Sequence, residues 1–306
     1  MTNTPNTATD EVKPVFSHAE ADRLRASIDD RLAKETLNRH DPNLIQQMIE
    51  CLGDTRGLVR LYYAETLGKV IGKPAVDPLI EALLHHPNVV VRRAAGKTIT
   101  LIEDTKAVPS LIYALLNDED TVVQASAIGA LARMGEASVS PLLDILASAD
   151  STESNKGHAA WALAFIGSKA KQQLYAVYNS DSAEVRAAVV GAIAKVAEEN
   201  RDDTKALNLL VESLNDSAVN VRSEAAAVLG NLKYQPAIPQ LTQLLVHPEG
   251  ETRKSAALSL MKIGDRNSIE SLQIALEQES DEGVEKAIAL AISLLNRQTE
   301  EDDWEE

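Results

Sequence analysis

Val221-Arg222-Ser223-Glu224-Ala225-Ala226-Ala227-Val228-Leu229-Gly230 is one copy of a pattern that recurs through the chain. An apolar residue followed by a charged or amide residue opens most copies: Val59-Arg60, Val91-Arg92, Val123-Gln124, Val185-Arg186, Val221-Arg222 and Val284-Glu285. Asn155-Lys156 and Thr252-Arg253 fill the two gaps. The spacings between copies are 32, 32, 32, 30, 36, 31 and 32 residues. A period of this length signals stacked helix pairs, because a single pair cannot bury its apolar face without a neighbour. The predicted fold is all-α: an α-solenoid of about eight helix pairs forming one elongated superhelical domain.

The rest of the chain fits around these second helices. First helices are expected near 44–52, 75–84, 107–116, 139–147, 171–178, 206–214, 238–246 and 269–277. Several begin beside proline (Pro74, Pro78, Pro109, Pro141, Pro236, Pro239), which a first helical turn tolerates because its N–H would be unpaired anyway. Ser17 and Glu20 have the spacing of a capping box, and Leu24, Ile28 and Leu32 follow at helical intervals, predicting a helical N-terminal cap over 17–38. The solenoid is expected over 16–298, with repeats at about 42–296. Residues 1–15, rich in Thr, Asn and Pro, read as a disordered tail, as do the acid-rich residues 299–306. Trp304 is either a docking anchor in that tail or part of a solubilising segment. The polar loop 197–203, between the 30- and 36-residue spacings, is the expected bend.

Composition narrows the function classes. Of 306 residues, 44% are hydrophobic and only 3% aromatic, a core of Ala, Leu, Ile and Val suited to closely stacked helices. A net charge of −16, with no Lys/Arg block, argues against nucleic acid. There is no signal-peptide core and no apolar run of membrane length, so the expectation is a cytoplasmic protein without membrane insertion. Cys51, the only cysteine, excludes an intramolecular disulfide and reads as a small buried hydrophobe within Met48-Ile49-Glu50-Cys51-Leu52. His85-His86 lacks a third ligand nearby, and no metal is expected. Neither a Ser-His-Asp triad nor a phosphate-binding glycine loop is evident.

The repeat resembles the HEAT-like unit of the phycobilin lyases, which attach open-chain tetrapyrroles to phycobiliproteins. Two stretches carry the likeness: Val59-Arg60-Leu61-Tyr62-Tyr63-Ala64, and Gly157-His158-Ala159-Ala160-Trp161-Ala162-Leu163. The resemblance covers about 42–296. Deoxyhypusine hydroxylases share the repeat but hold iron through His-Glu pairs, and none of the six histidines here precedes Glu.

Helical spacing assigns an open stripe to each second helix, since i, i+1, i+4 and i+8 share a face. The stripes are Leu61, Tyr62, Glu65 and Lys69; Arg93, Ala94, Lys97 and Leu101; Ala125, Ser126, Gly129 and Arg133; Gly157, His158, Trp161 and Phe165; and Ala187, Ala188, Gly191 and Lys195. A His-Trp-Phe stripe flanked by small residues leaves room for a flat ligand. In a rotated register, Trp161 and Phe165 would instead fill core.

The resemblance implies that a phycobilin is bound as substrate, with no tightly bound cofactor, and joined by a thioether to a cysteine of a phycobiliprotein subunit. Tyr62, Arg93, Lys97, Trp161 and Phe165 are the candidate ligand-binding residues, supplying ring faces and cations for propionates. Glu65 and His158 are the candidate catalytic acids. The resemblance also admits a second lyase subunit, since some members work as pairs. The alternative is a non-catalytic HEAT-repeat scaffold or chaperone for phycobilisome assembly or degradation. Arg60, Arg92, Lys156, Arg186, Arg222 and Arg253 recur at one repeat position, with Asp54, Asp118, Asp181 and Asp216 in preceding turns. Such regularity predicts a structural ladder.

Overall fold

The computed structural model describes residues 16–302, with side chains to 297. The tail expected at 1–15, Trp304 and the rest of 303–306 lie outside the described residues. The chain divides into two compact units, Met1–Ser138 and Val139–Glu306. No strand occurs among the described residues, and no helix is long and apolar enough to cross a membrane.

The first unit contains α1 (His18–Ala33), α2 (Pro42–Cys51), α3 (Gly57–Glu65), α4 (Val76–His85), α5 (Val89–Ile102), α6 (Val108–Asn117) and α7 (Thr121–Arg133). The Ser17–Glu20 capping box forms: Ser17 N donates to the Glu20 carboxylate at 2.8 Å, and Glu20 N to Ser17 Oγ at 3.3 Å. Asp41, Asn88 and Asp120 cap α2, α5 and α7, each accepting from backbone N–H groups of the first turn that the helix leaves unpaired. Buried Tyr63 donates from its hydroxyl to the Ala21 carbonyl at 2.5 Å, pinning α1 to the repeat array.

The unit boundary falls within α8 (Glu136–Ala147). The second unit continues with α9 (Glu153–Ile166), α10 (Lys171–Ala176), α11 (Ala183–Glu199), α12 (Thr204–Glu212), α13 (Val219–Asn231), α14 (Ile238–Leu244), α15 (Gly250–Ile263), α16 (Ser268–Gln278) and α17 (Glu282–Asp302). The last helix thus extends into the segment read as an acidic tail. Odd-numbered helices from α3 onward are the second helices of pairs. In the second unit they pack in succession, α9 on α11, α11 on α13, α13 on α15 and α15 on α17. Their facing residues are small: Ala159, Ala162, Ala192, Ala225 and Ala256 are fully buried.

At one position small is not small enough for alanine. A Cβ on Gly230 would lie 2.9 Å from Ser259 Oγ and 3.0 Å from Ser259 Cα, while Ser259 Oγ donates to the Ala226 carbonyl at 2.7 Å. Gly230→Ala is expected to cost about 1–3 kcal/mol through overpacking of α13 on α15. Gly129, also mid-helix, has nothing within 4 Å of the place a Cβ would occupy. Gly129→Ala should therefore gain roughly 0.5–1 kcal/mol. Thermal unfolding of the two variants should move in opposite directions.

The ladder forms, and it joins successive repeats. Arg92 reaches Asp118, Arg186 reaches Asp216, Arg222 reaches Glu249 and Arg253 reaches Glu279. The same guanidinium groups donate Nη1 to the carbonyl six residues before: His86, Ser180, Asp216 and His247 respectively. Each arginine therefore closes its own turn and clasps the next, a bidentate use for which guanidinium geometry is suited. Of these two bonds, Arg60 makes the turn-closing one, to the Asp54 carbonyl at 2.5 Å. Lys156 makes neither.

Candidate functional site

A hollow of ≈ 450 Å³ opens in the second unit along α9, α11 and α13. Gly157, Ala160 and Ala164 of α9 and Ala187, Ala188 and Gly191 of α11 give it a small-residue lining. Trp161 stands at its side, and Lys156, Asn220 and Glu224 supply polar groups. The small residues are the cause of the space, since at these six positions the two helices carry only hydrogens and methyl groups. The volume falls within the roughly 300–1,000 Å³ of sites for small molecules.

Trp161 and Phe165 are stacked, with ring centroids 5.6 Å apart and an interplanar angle of 29°. They are 51% and 50% exposed, so they do not fill core. The chain has only two tryptophans and two phenylalanines, and one of each stands here facing solvent. Together the two rings expose one contiguous apolar area, unlike the singly scattered apolar side chains that are ordinary on a protein surface.

Lys156 occupies the ladder position but is held by no acid of the next turn. Its nearest carboxylate is Glu153, 3.9 Å away, whose side chain is 95% exposed. A pair so open contributes little. Lys156 is thus a half-buried cation at the hollow with its donors largely uncommitted, in contrast to Arg186, Arg222 and Arg253.

Glu224 is the other unsatisfied charge. No hydrogen bond or ion pair holds its side chain among the described residues, and burial alone raises its pKa from the usual carboxylate range. It faces Gly191, where an added Cβ would meet its Oε1 at 3.0 Å. Stripes assigned to the first five repeats do not reach this residue. Extended to Val221, the same spacing gives Ser223 and Glu224.

His158, expected on the same stripe as Trp161, does not line the hollow. It is half-buried, and its Nδ1 is enclosed without a hydrogen-bond partner among the described residues. The rotation of α9 that turns Trp161 and Phe165 outward carries His158 toward the helix stack.

The candidates in the first unit are mostly committed elsewhere. Tyr62 donates from its hydroxyl to Asp29 at 2.7 Å, and the Arg25 guanidinium lies 4.6 Å from its ring centroid. Burial first, and the Asp29 carboxylate second, push its phenol pKa up. Arg93 corrects the expectation of a free cation. Its fork is filled by Asp120, with Nε 2.8 Å and Nη2 2.5 Å from the carboxylate oxygens. Asp120 also caps α7, and the Arg93 hydrogen bond is the main reason its pKa falls to about 2. Glu65, the last residue of α3, pairs with Lys69 at 2.6 Å, one turn on in the π-helical segment Thr66–Ile71. Lys97 is exposed and unpaired among the described residues. Ser126, assigned to an open stripe, is buried against Gly96. Cys51 is buried, and that burial pushes its thiol up to about 11, as a structural cysteine requires. No group of three metal-ligating side chains occurs among the described residues.

The HEAT repeats family matches residues 76–154, 139–220 and 207–293. Bilin biosynthesis protein MpeU of Synechococcus sp. strain WH8020 is 39% identical over 289 residues, covering 94% of this chain and 96% of that protein. A deoxyhypusine hydroxylase of Candida glabrata is 32% identical over 99 residues, only 32% of this chain and 31% of that protein. Among solved structures, importin beta superposes with a TM-score of 0.50 at 14% identity, covering 85% of this chain and 42% of that one. At such identity it shares the solenoid fold alone. The near-complete alignment with MpeU and the matching repeats place the chain in a defined group: it belongs to the HEAT-repeat family of phycobilin lyases.

Proposed function

We propose that this protein binds an open-chain tetrapyrrole in the hollow of its second unit and promotes its thioether attachment to a cysteine of a phycobiliprotein. The observation that carries the reading is the solvent-facing Trp161–Phe165 stack beside a hollow of small residues. A tetrapyrrole is flat, apolar on both faces and anionic at two propionates. Trp161 offers a face for stacking, and Lys156 offers a cation that the ladder has left unclasped. The full-length likeness to a bilin biosynthesis protein supports the ligand class.

The protein's contribution to attachment is to hold the pigment extended, shield it from water and present one end to the incoming thiol, an advantage that in well-oriented reactions is worth several kcal/mol. The reacting thiol belongs to the acceptor, so buried Cys51 has no part in it. In this reading the acceptor subunit is the protein partner and the pigment is substrate.

The test is co-expression with enzymes that supply phycoerythrobilin or, separately, phycocyanobilin, followed by affinity purification and an absorbance spectrum. Coloured protein approaching one pigment per chain is expected, and apo-phycobiliprotein added afterwards should take the pigment up covalently. A colourless protein from cells shown to contain both pigments would contradict the proposal and favour the HEAT-repeat scaffold.

A further inference from the structure

Glu224 is out of place as a structural residue. The corresponding position is Ala94 in the second repeat, Ala188 in the fifth and Ala287 in the eighth, so the fold does not need a carboxyl there. The acids that approach burial in the turns before these helices have partners: Asp118, Asp216 and Glu279 are each clasped by an arginine. Arg222, two residues before Glu224 on α13, is not available to it. That guanidinium is spent on Glu249, Thr252 Oγ1 and the carbonyls of Asp216 and Ser217. A carboxyl half-buried without a protein donor gives up part of its hydration with no hydrogen bond in return, a cost to the fold that a ligand able to donate would offset. Here it lines the hollow, with Gly191 opposite keeping the space in front of Oε1 open.

Resting on the reading that the hollow holds a tetrapyrrole, we propose that Glu224 is the acid of the site, bonding the pigment's central nitrogens and delivering a proton to its imine-type nitrogen as the thiol adds. The acceptor thiol first loses its proton to water. Its sulfur then forms a bond to the exocyclic carbon of the ring-A ethylidene group, and the double-bond pair moves into the conjugated system toward the imine nitrogen. The Glu224 O–H bond breaks as the N–H bond forms, leaving a carboxylate that water reprotonates. Migration of a nitrogen-bound proton to the adjoining ring carbon completes addition of S–H across the double bond. No oxidant or reductant is consumed. Burial suits the residue to this work, since it favours the neutral acid before the pigment arrives and strengthens the carboxylate–pigment pair afterwards.

Glu224→Gln keeps the shape and removes the proton. Gly191→Ala leaves Glu224 in place and crowds its carboxyl. Both are compared with wild type after co-expression with phycoerythrobilin or phycocyanobilin, with circular dichroism confirming the fold. Protonated tetrapyrroles absorb to the red of neutral ones. The expected result is pigment retained by Glu224→Gln at near wild-type yield but without that red shift, and transfer to apo-phycobiliprotein slowed on the order of 100-fold. Gly191→Ala should lie between the two. If wild type and Glu224→Gln carry pigment with identical spectra and transfer it at equal rates, the role given to Glu224 is overturned and the hollow remains a pigment site. If wild type itself carries none, the functional reading fails and this inference with it.

Discussion

Arg253→Met should destabilise the protein by about 3 kcal/mol, read as a lower midpoint in urea unfolding, because it strands a buried carboxylate. Glu279 is only 2% exposed at its side chain and accepts from Arg253 Nε and Nη2, both at 2.7 Å. The same arginine holds the carbonyls of His247 at 2.8 Å and Pro248 at 3.0 Å. One substitution therefore removes an interrepeat clasp and two turn-closing bonds. Arg133→Met provides the contrast. Its partner is Glu103, and both side chains are nearly half exposed, so its loss should stay below about 1 kcal/mol. Equal effects from the two variants would show that the ladder is decoration.

Acid should expose the same clasp. The Arg253 hydrogen bonds, helped by Ser280 and Asp281 N–H groups, hold the Glu279 carboxyl at about 2, well below the usual carboxylate range. A carboxyl whose pKa is depressed by folding stabilises the fold fully above its unfolded value, and that contribution is lost as pH falls from there toward the folded value. Wild type should thus lose stability between about pH 5 and pH 2, and Arg253→Met should show a shallower acid limb over that range.

Trp161→Ala should weaken tetrapyrrole binding by about 2 kcal/mol, or roughly 30-fold, since a ring at the edge of a ligand hollow is the type of residue that carries binding energy. Folding stability should change by less than about 1 kcal/mol, because half of the indole is already in water. Binding and stability thereby separate, whereas truncating a core tryptophan would lower both. Lys156→Ala should weaken binding less, and its effect should shrink as salt rises, because its contribution is that of a cation near solvent.

Much of the fold is legible in the sequence because the repeat is a local code. The pair Val221-Arg222 gives the start of α13 within two residues, and Asp41, Asn88 and Asp120 announce helix starts by their chemistry. The Trp161–Phe165 stripe is readable for the same reason, as helical spacing alone sets which residues share a face. Features that escape a sequence reading depend on contacts between elements distant in the chain. Arg93 looks free because its partner, Asp120, lies 27 residues on, in the turn of the next repeat. Tyr62 looks available because nothing in the repeat announces that α1 folds back over it. Lys156 looks like one more rung of the ladder, and only the missing acid in the following turn separates it from Arg186. Glu224 is within reach of the spacing rule, but recognising it as unpaired requires knowing that Arg222 is taken.

The most direct measurement is Trp161 emission during titration with tetrapyrrole in a Trp304→Phe background, where Trp161 is the sole tryptophan of the chain. A pigment held against Trp161 should give saturable, nearly complete quenching at one pigment per chain, abolished when Ala187→Trp or Ala188→Trp fills the hollow of a protein that still folds, once the emission of the added indole is subtracted. Pigment binding, followed independently by absorbance, that leaves Trp161 emission undiminished or survives the filled hollow would place the ligand elsewhere and contradict a tetrapyrrole site in the hollow.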